Sequence, residues 1–191
     1  RGLIALLKRI TVKKIDECKL KCILPTGALA AGNEFVILEM PSQQRKVALI
    51  GEQKTLLFPG MVFACGFLEG QYSMRWMYHE EEGPIDPDLE VLAPAQFLNT
   101  DANGWVCLGS VGAQLRRPRT LKELADRLIE EHFMAQFTEW RSEQNKELVV
   151  LMESATRSRA KNKLHRVWKH IKTNTPIDKW TSLNQLYESF L

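Results

Sequence analysis

Phe97-Leu98-Asn99-Thr100-Asp101-Ala102-Asn103-Gly104-Trp105-Val106-Cys107-Leu108-Gly109-Ser110 is the stretch around which the rest of the 191-residue chain is organised. Asn103-Gly104 tolerates positive φ and reads as a tight reversal. The reversal presents Trp105 to Leu108 as a short extended piece, with Gly109-Ser110 loosening the chain behind it. A thiol held there, at the margin of a sheet, is placed to be reached. Asn99 lies on the other arm of the reversal, and folding back brings its side-chain amide toward the sulfur. An amide NH₂ is a donor suited to an oxyanion in acyl transfer. The plainer alternative for Cys107 is a small buried hydrophobe, the usual fate of a free cysteine.

The segment resembles the active-site stretch of ubiquitin-conjugating enzymes: His-Pro-Asn, a few polar residues, Asn-Gly, two residues, then Cys-Leu. Asn99, Asn103-Gly104 and Cys107-Leu108 match in identity and spacing, while Phe97-Leu98 stands where His-Pro is usual. Wider likeness is to the prokaryotic E2-like proteins related to PRTRC system protein B. It rests on Leu92-Ala93-Pro94, Asn99, Gly104-Trp105-Val106-Cys107-Leu108-Gly109-Ser110 and Phe133-Met134-Ala135-Gln136-Phe137-Thr138, within residues 35 to 140.

The resemblance implies an α+β, ubiquitin-conjugating-enzyme-like fold: an antiparallel four-stranded meander sheet with C-terminal helices packed against it. It implies an E2-like transferase that carries a ubiquitin-like modifier as a thioester on Cys107 and passes it to an amine. Asn99 would steady the oxyanion, and Asp101 would orient or deprotonate the incoming amine. The plainer role for Asp101 is that of a turn-favouring residue. The expected partners are the modifier and a ThiF-type, E1-like activating enzyme, with a JAB-type deconjugase in the same system. No metal or organic cofactor is implied, because the activating partner consumes the ATP. The replaced His-Pro leaves open a catalytically silent E2-like module that only binds or scaffolds.

The strand pattern leads to a similar sheet without reference to any family. Phe35–Leu38, Lys46–Ile50, Met61–Phe67 and Tyr72–Tyr78 are apolar or alternating runs separated by short turns, which reads as an antiparallel meander. Ala28 to Gly32 reads as a small-residue connector, and Gly51 to Lys54 as a link to Thr55–Gly60. Thr120 with Glu123 has capping-box spacing and opens a helix from about Leu121 to Trp140. Further helices are expected over Glu143–Met152, Ala160–Ile171 and Leu183–Leu191, with Pro176 as an interruption. Taken with the resemblance, the expected domains are a β-rich lead-in over 1–34, an E2-like core over 35–140 and a helical extension over 141–191.

Composition sets the outer bounds. Apolar residues are 45%, charged residues 26% and the net charge +3, an ordinary globular balance too mild to name a partner. No apolar run is long enough to span a bilayer. Gly2–Leu7 precedes Lys8-Arg9, the reverse of a secretory signal, and a start at Arg1 rather than Met suggests a trimmed N-terminus. Cys18, Cys22, Cys65 and Cys107 fit a reducing cytoplasm, and the Cys18/Cys22 pair has no second pair to complete a zinc site.

Other polar residues bear on the same site. Arg116, Arg117 and Arg119 either favour a thiolate at Cys107 or are simply solvated. A cysteine hydrolase would need a histidine beside Cys107; His79 and His132 are the candidates, and neither carries a local signature. From Ser154 to Ile177 there is no acidic residue, while Arg157, Arg159, Lys161, Lys163, Arg166, Lys169 and Lys172 are cationic. That basic stretch, with Trp168 inside it, reads as a solvated helix face, a nucleic-acid contact, or a dock for an acidic protein.

Overall fold

The computed structural model describes residues 20–80, 85–97, 99–109, 116–134, 136–137, 143–159 and 162–191. Most of the N-terminal lead-in, with Cys18, and also Ser110 and Lys161 fall outside them. The chain is a mixed α+β structure with a mostly antiparallel sheet and C-terminal helices. The strands are β1 (Ala28–Ala31), β2 (Phe35–Met40), β3 (Gln43–Leu49), β4 (Glu52–Phe58), β5 (Gly60–Leu68), β6 (Gln71–His79), β7 (Ala93–Pro94) and β8 (Gln136–Phe137). The helices are α1 (Leu121–Met134), α2 (Glu143–Arg157), α3 (His165–Asn174) and α4 (Leu183–Glu188), with a 3₁₀ turn at Ile177–Lys179.

The sheet departs from a consecutive four-strand meander. The main sheet has five strands in the order β1-β2-β5-β6-β7, and a second sheet has three, β4-β3-β8. β2 pairs with β5, from Phe35↔Gly66 to Met40↔Met61, so the β3–β4 hairpin between them is passed out to the smaller sheet. The two hairpins close on two-residue loops with positive φ at both positions, Ile50 (49°)/Gly51 (79°) and Glu69 (51°)/Gly70 (80°). This is the type I′ geometry that matches strand twist.

Three local expectations are corrected. Ala28–Ala31 is an edge strand rather than a connector. Glu52–Phe58 is a full strand whose first half is exposed and whose second half is buried, so no clean alternation marks it. The first helix stops at Met134, and Gln136–Phe137 pairs in parallel with Ala48–Leu49 of β3. Its start agrees: the Glu123 amide donates to the Thr120 hydroxyl at 3.0 Å, while the Glu123 carboxylate accepts from the Arg119 amide at 2.7 Å.

Both faces of the main sheet are covered. On one, Val36, Leu38, Met61, Phe63, Cys65, Met74, Trp76 and Tyr78 join the apolar stripes of α1, α2 and α3 in one buried cluster. Phe63 stacks on Trp76 at 5.4 Å, and Phe133 of α1 meets the edge of both rings. On the other face, Phe35, Ile37, Val62, Ala64 and Met77 pack against Ile85, Leu92, Leu183, Leu186 and Phe190. β5 is therefore buried on both sides, which is why its sequence is apolar without a break. The stretch from 141 to 191 contributes to both clusters. A capping box at Ser182 and Gln185 fixes the start of α4. Among the described residues no helix is long and apolar enough to cross a membrane.

Candidate functional site

The site is a β-hairpin added to the free edge of β6. β7 covers the first part of that edge, with Tyr78↔Ala93 and Met77↔Pro94. The hairpin's second arm covers the next part: the Trp76 amide donates to the Gly104 carbonyl at 2.8 Å and the Val106 amide to the Met74 carbonyl at 2.9 Å. The first arm then pairs outside it. The Asp101 amide donates to the Trp105 carbonyl at 2.9 Å, and the Cys107 amide to the Asn99 carbonyl at 2.7 Å.

The reversal itself is not a two-residue Asn-Gly turn. The Gly104 amide donates to the Asp101 carbonyl at 3.1 Å, and in this turn only Gly104 has positive φ (83°). This is a three-residue loop, a type I turn closed by a glycine bulge. Asp101 staples it: one oxygen, Oδ1, accepts from the Asn103 and Trp105 amides, each at 2.8 Å. A Cβ on Gly104 would lie 2.5 Å from the Trp76 carbonyl oxygen, so the hairpin reaches the sheet only with glycine there.

The base of the hairpin is plugged into the core. Phe97, at the position where the resembled motif has His, is 1% exposed and meets Phe58 and Trp76 at 5.4 and 5.3 Å. The buried Thr100 hydroxyl lies 2.6 and 2.5 Å from the Ala95 and Phe97 carbonyls and accepts the Phe97 amide at 3.1 Å. Gln96 ties the lead-in to two helices: its carbonyl accepts from Asn145 of α2 at 2.8 Å, and its Nε2 donates to Asn174 of α3 at 3.1 Å.

The tip is held from the far end of the chain. Lys179 donates to Asn103 Oδ1 at 3.2 Å, and Arg75 donates to the Asn103 carbonyl at 2.8 Å. The Arg75 guanidinium lies 5.8 Å from the centre of the Trp105 ring, whose other neighbour is Phe190 at 5.3 Å. Burial lowers the Arg75 pKa, and the charge of Asp101 opposes that shift. Thr181 and Leu92 exchange two amide hydrogen bonds of 3.0 Å, anchoring the segment that carries Lys179 and Phe190.

Cys107 itself is exposed, with Leu108 half-buried beside it. Strand alternation puts it on the same side as Trp105, one residue pair beyond. Asn99 is half-buried and held at φ 61°, a region a carboxamide residue tolerates better than most. The hairpin register thus joins Asn99, Asp101 and Cys107 on adjacent arms. The other two described cysteines differ in setting: Cys22 is exposed near the start of the described chain, and Cys65 is buried in β5, where desolvation pushes its thiol pKa far up.

The histidines are elsewhere. His132 is in the core, edge-on to Trp76 at 5.0 Å, and burial lowers its pKa to about 4. His79 is buried at the opposite end of β6, with Nε2 3.2 Å from Glu39. Five strand residues separate His79 from Met74, about 17 Å at 3.3 Å per residue. Of the three arginines, Arg116 accepts from Tyr72 through its carbonyl and Arg117 sits 6.0 Å from the Phe67 ring, while Arg119 is exposed at the start of α1. A cleft of about 120 Å³ lined by His79, Glu80, Ile85, Glu90, Val91 and Trp180 lies at the His79 end, and Cys107 does not line it.

Phe190, Lys179, Arg75, Gln96 and Thr100 are supports that sequence reading missed. Only Thr100 had a local signal, a hydroxyl residue inside a turn-rich segment. No family model, curated protein or solved structure matches the chain.

Proposed function

We propose that the chain is an E2-like conjugating enzyme with a ubiquitin-conjugating-enzyme-like fold, carrying a ubiquitin-like modifier as a thioester on Cys107. The supporting observation is an accessible thiol fixed in register with Asn99 on a hairpin that is sewn to a sheet edge and braced at base and tip. An exposed thiol suits acyl donors and acceptors that are themselves proteins, whereas small-molecule sites are concave.

The chemistry needs two exchanges at one sulfur. The Cys107 thiolate attacks the carbonyl of the modifier's C-terminal thioester on the activating enzyme, forming a new C–S bond and releasing that enzyme's thiolate. An acceptor amine then attacks the carbonyl; a C–N bond forms, the C–S bond breaks, and Cys107 leaves as thiolate. The Asn99 carboxamide donates to the oxyanion of the tetrahedral intermediate formed in this second exchange. Asp101 has one oxygen engaged by backbone amides, and its other oxygen orients the amine and accepts its proton. A ThiF-type activating enzyme supplies the activated modifier, and a JAB-type deconjugase would reverse the product.

The test is reconstitution with the ThiF-type enzyme, modifier and ATP, followed on a non-reducing gel. A wild-type adduct that collapses with added thiol and is missing from Cys107→Ala supports the reading. Modifier binding that survives Cys107→Ala, with no adduct under any condition, selects the silent binding module instead.

A further inference from the structure

α3 is amphipathic in an uneven way. Val167, Trp168 and Ile171 are buried against the core, while His165, Arg166, Lys169, Lys172 and Thr173 all face solvent. At 100° per residue these five fall within about a third of the helix circumference, and from His165 to Lys172 they span about 10 Å. Arg159 and Lys163, in the connection from α2, are exposed as well.

The nearby carboxylates are already engaged at the margins. Glu80 pairs with Lys172, Glu153 with Arg157 at 2.5 Å, and Glu147 lies 3.8 Å from His170. Among the described residues, Arg159, Lys163, Arg166 and Lys169 meet no carboxylate. Arg166 and Lys169 share the α3 face, and Arg159 and Lys163 precede it in the chain; like charges gathered in this way repel each other at a cost that a polyanion removes.

We infer that this face of α3, with the turn before it, is a docking surface for the phosphate backbone of duplex nucleic acid. The face has no apolar anchor, because Val167, Trp168 and Ile171 are turned inward, so it lacks the buried centre that a protein interface uses. Trp168, only 4% exposed, offers bases no stacking platform, and the one ring on this face is the small imidazole of His165, which argues against single-strand reading. What remains is charge at helical spacing, the chemistry of sequence-independent phosphate contact. The inference does not depend on Cys107 or on any acyl transfer.

The experiment is fluorescence anisotropy of the full chain against a labelled duplex of arbitrary sequence and against poly-glutamate, over a salt series. Four phosphate contacts give a slope of log affinity on log salt of about −3.6, or roughly a 150-fold loss from about 50 to about 200 mM salt. The joint variant Arg159→Gln, Lys163→Gln, Arg166→Gln and Lys169→Gln should flatten that slope toward zero and weaken duplex binding at least about tenfold. These residues are exposed, so its circular dichroism should match wild type; Lys46→Gln with Lys122→Gln, neutralising exposed cations elsewhere, should bind as wild type does. Undetectable duplex binding at low salt, an unchanged slope in the joint variant, or poly-glutamate bound as tightly as duplex would each overturn the inference, the last pointing to an acidic protein partner.

Discussion

The Cys107 amide donates to the Asn99 carbonyl at 2.7 Å, so the two residues that the proposed chemistry needs are joined by a backbone bond rather than merely brought near. Anything that shifts one arm of the hairpin shifts both. That coupling makes the roles of the Asn99 side chain and backbone separable by choice of substitution. Asn99 sits at φ 61°, where alanine would be strained. Asn99→Gly keeps the backbone and deletes the amide. It should load modifier normally while transfer to free lysine slows by about 100-fold, the effect of losing one oxyanion donor; single-turnover discharge kinetics measure both.

Gly104 is required twice over, for its φ of 83° and for the approach to the Trp76 carbonyl. Gly104→Ala should cost about 3 kcal/mol, combining left-handed strain with a backbone clash. Gly51 has φ 79° but nothing within 4 Å of a built Cβ, so Gly51→Ala should cost only about 1 kcal/mol. Urea denaturation of the two variants tests the difference, which isolates the close approach from the dihedral.

Phe190 closes the far face of the sheet against Phe35 and Trp105. Phe190→Ala should destabilise by about 3 kcal/mol, as for other buried aromatic truncations. It should also speed hydrogen exchange at the Cys107 amide, since Trp105 loses its packing partner two residues away. Unchanged exchange there would mean the hairpin stands without the C-terminal segment.

His132 supplies a pH dependence. Its folded pKa of about 4 lies below the ordinary value near 6.5, so the unfolded chain takes up the proton first. The contribution is therefore complete above about pH 6.5 and is lost as the pH falls through about 4, some 3 kcal/mol in all. Denaturation midpoints at pH 7, 5 and 4 should show this decline, and His132→Phe should flatten part of it.

The legible parts of this molecule were those whose signal is local. β2, β5 and β6 carry continuous or alternating apolar residues, and the Thr120/Glu123 spacing marks the start of α1. Ala28–Ala31 was not legible, because alanine has little strand preference and the segment earns its strand only by pairing with β2. Glu52–Phe58 hid for a different reason, passing from solvent to core halfway along. Nor does any local feature say that β3 and β4 leave the main sheet, since that depends on β5 finding β2 across a closed hairpin.

At the site, the exposed thiol and the reversal were readable from Asn103, Gly104 and Cys107, though the turn type was not. The braces were not readable at all. Lys179 and Phe190 act from more than seventy residues away, and only the folding of the C-terminal segment over the second face of the sheet brings them in.

Whether Cys107 carries an acyl group is read out by mass spectrometry of the Cys107→Ser chain isolated from its source cells. A serine oxyester outlives the native thioester, so a modifier should be found attached through its C-terminus to residue 107, stable to thiol and released by hydroxylamine. A Cys107→Ser chain with no adduct at residue 107, recovered from cells in which the activating enzyme and modifier are present, would contradict an acyl-carrying Cys107.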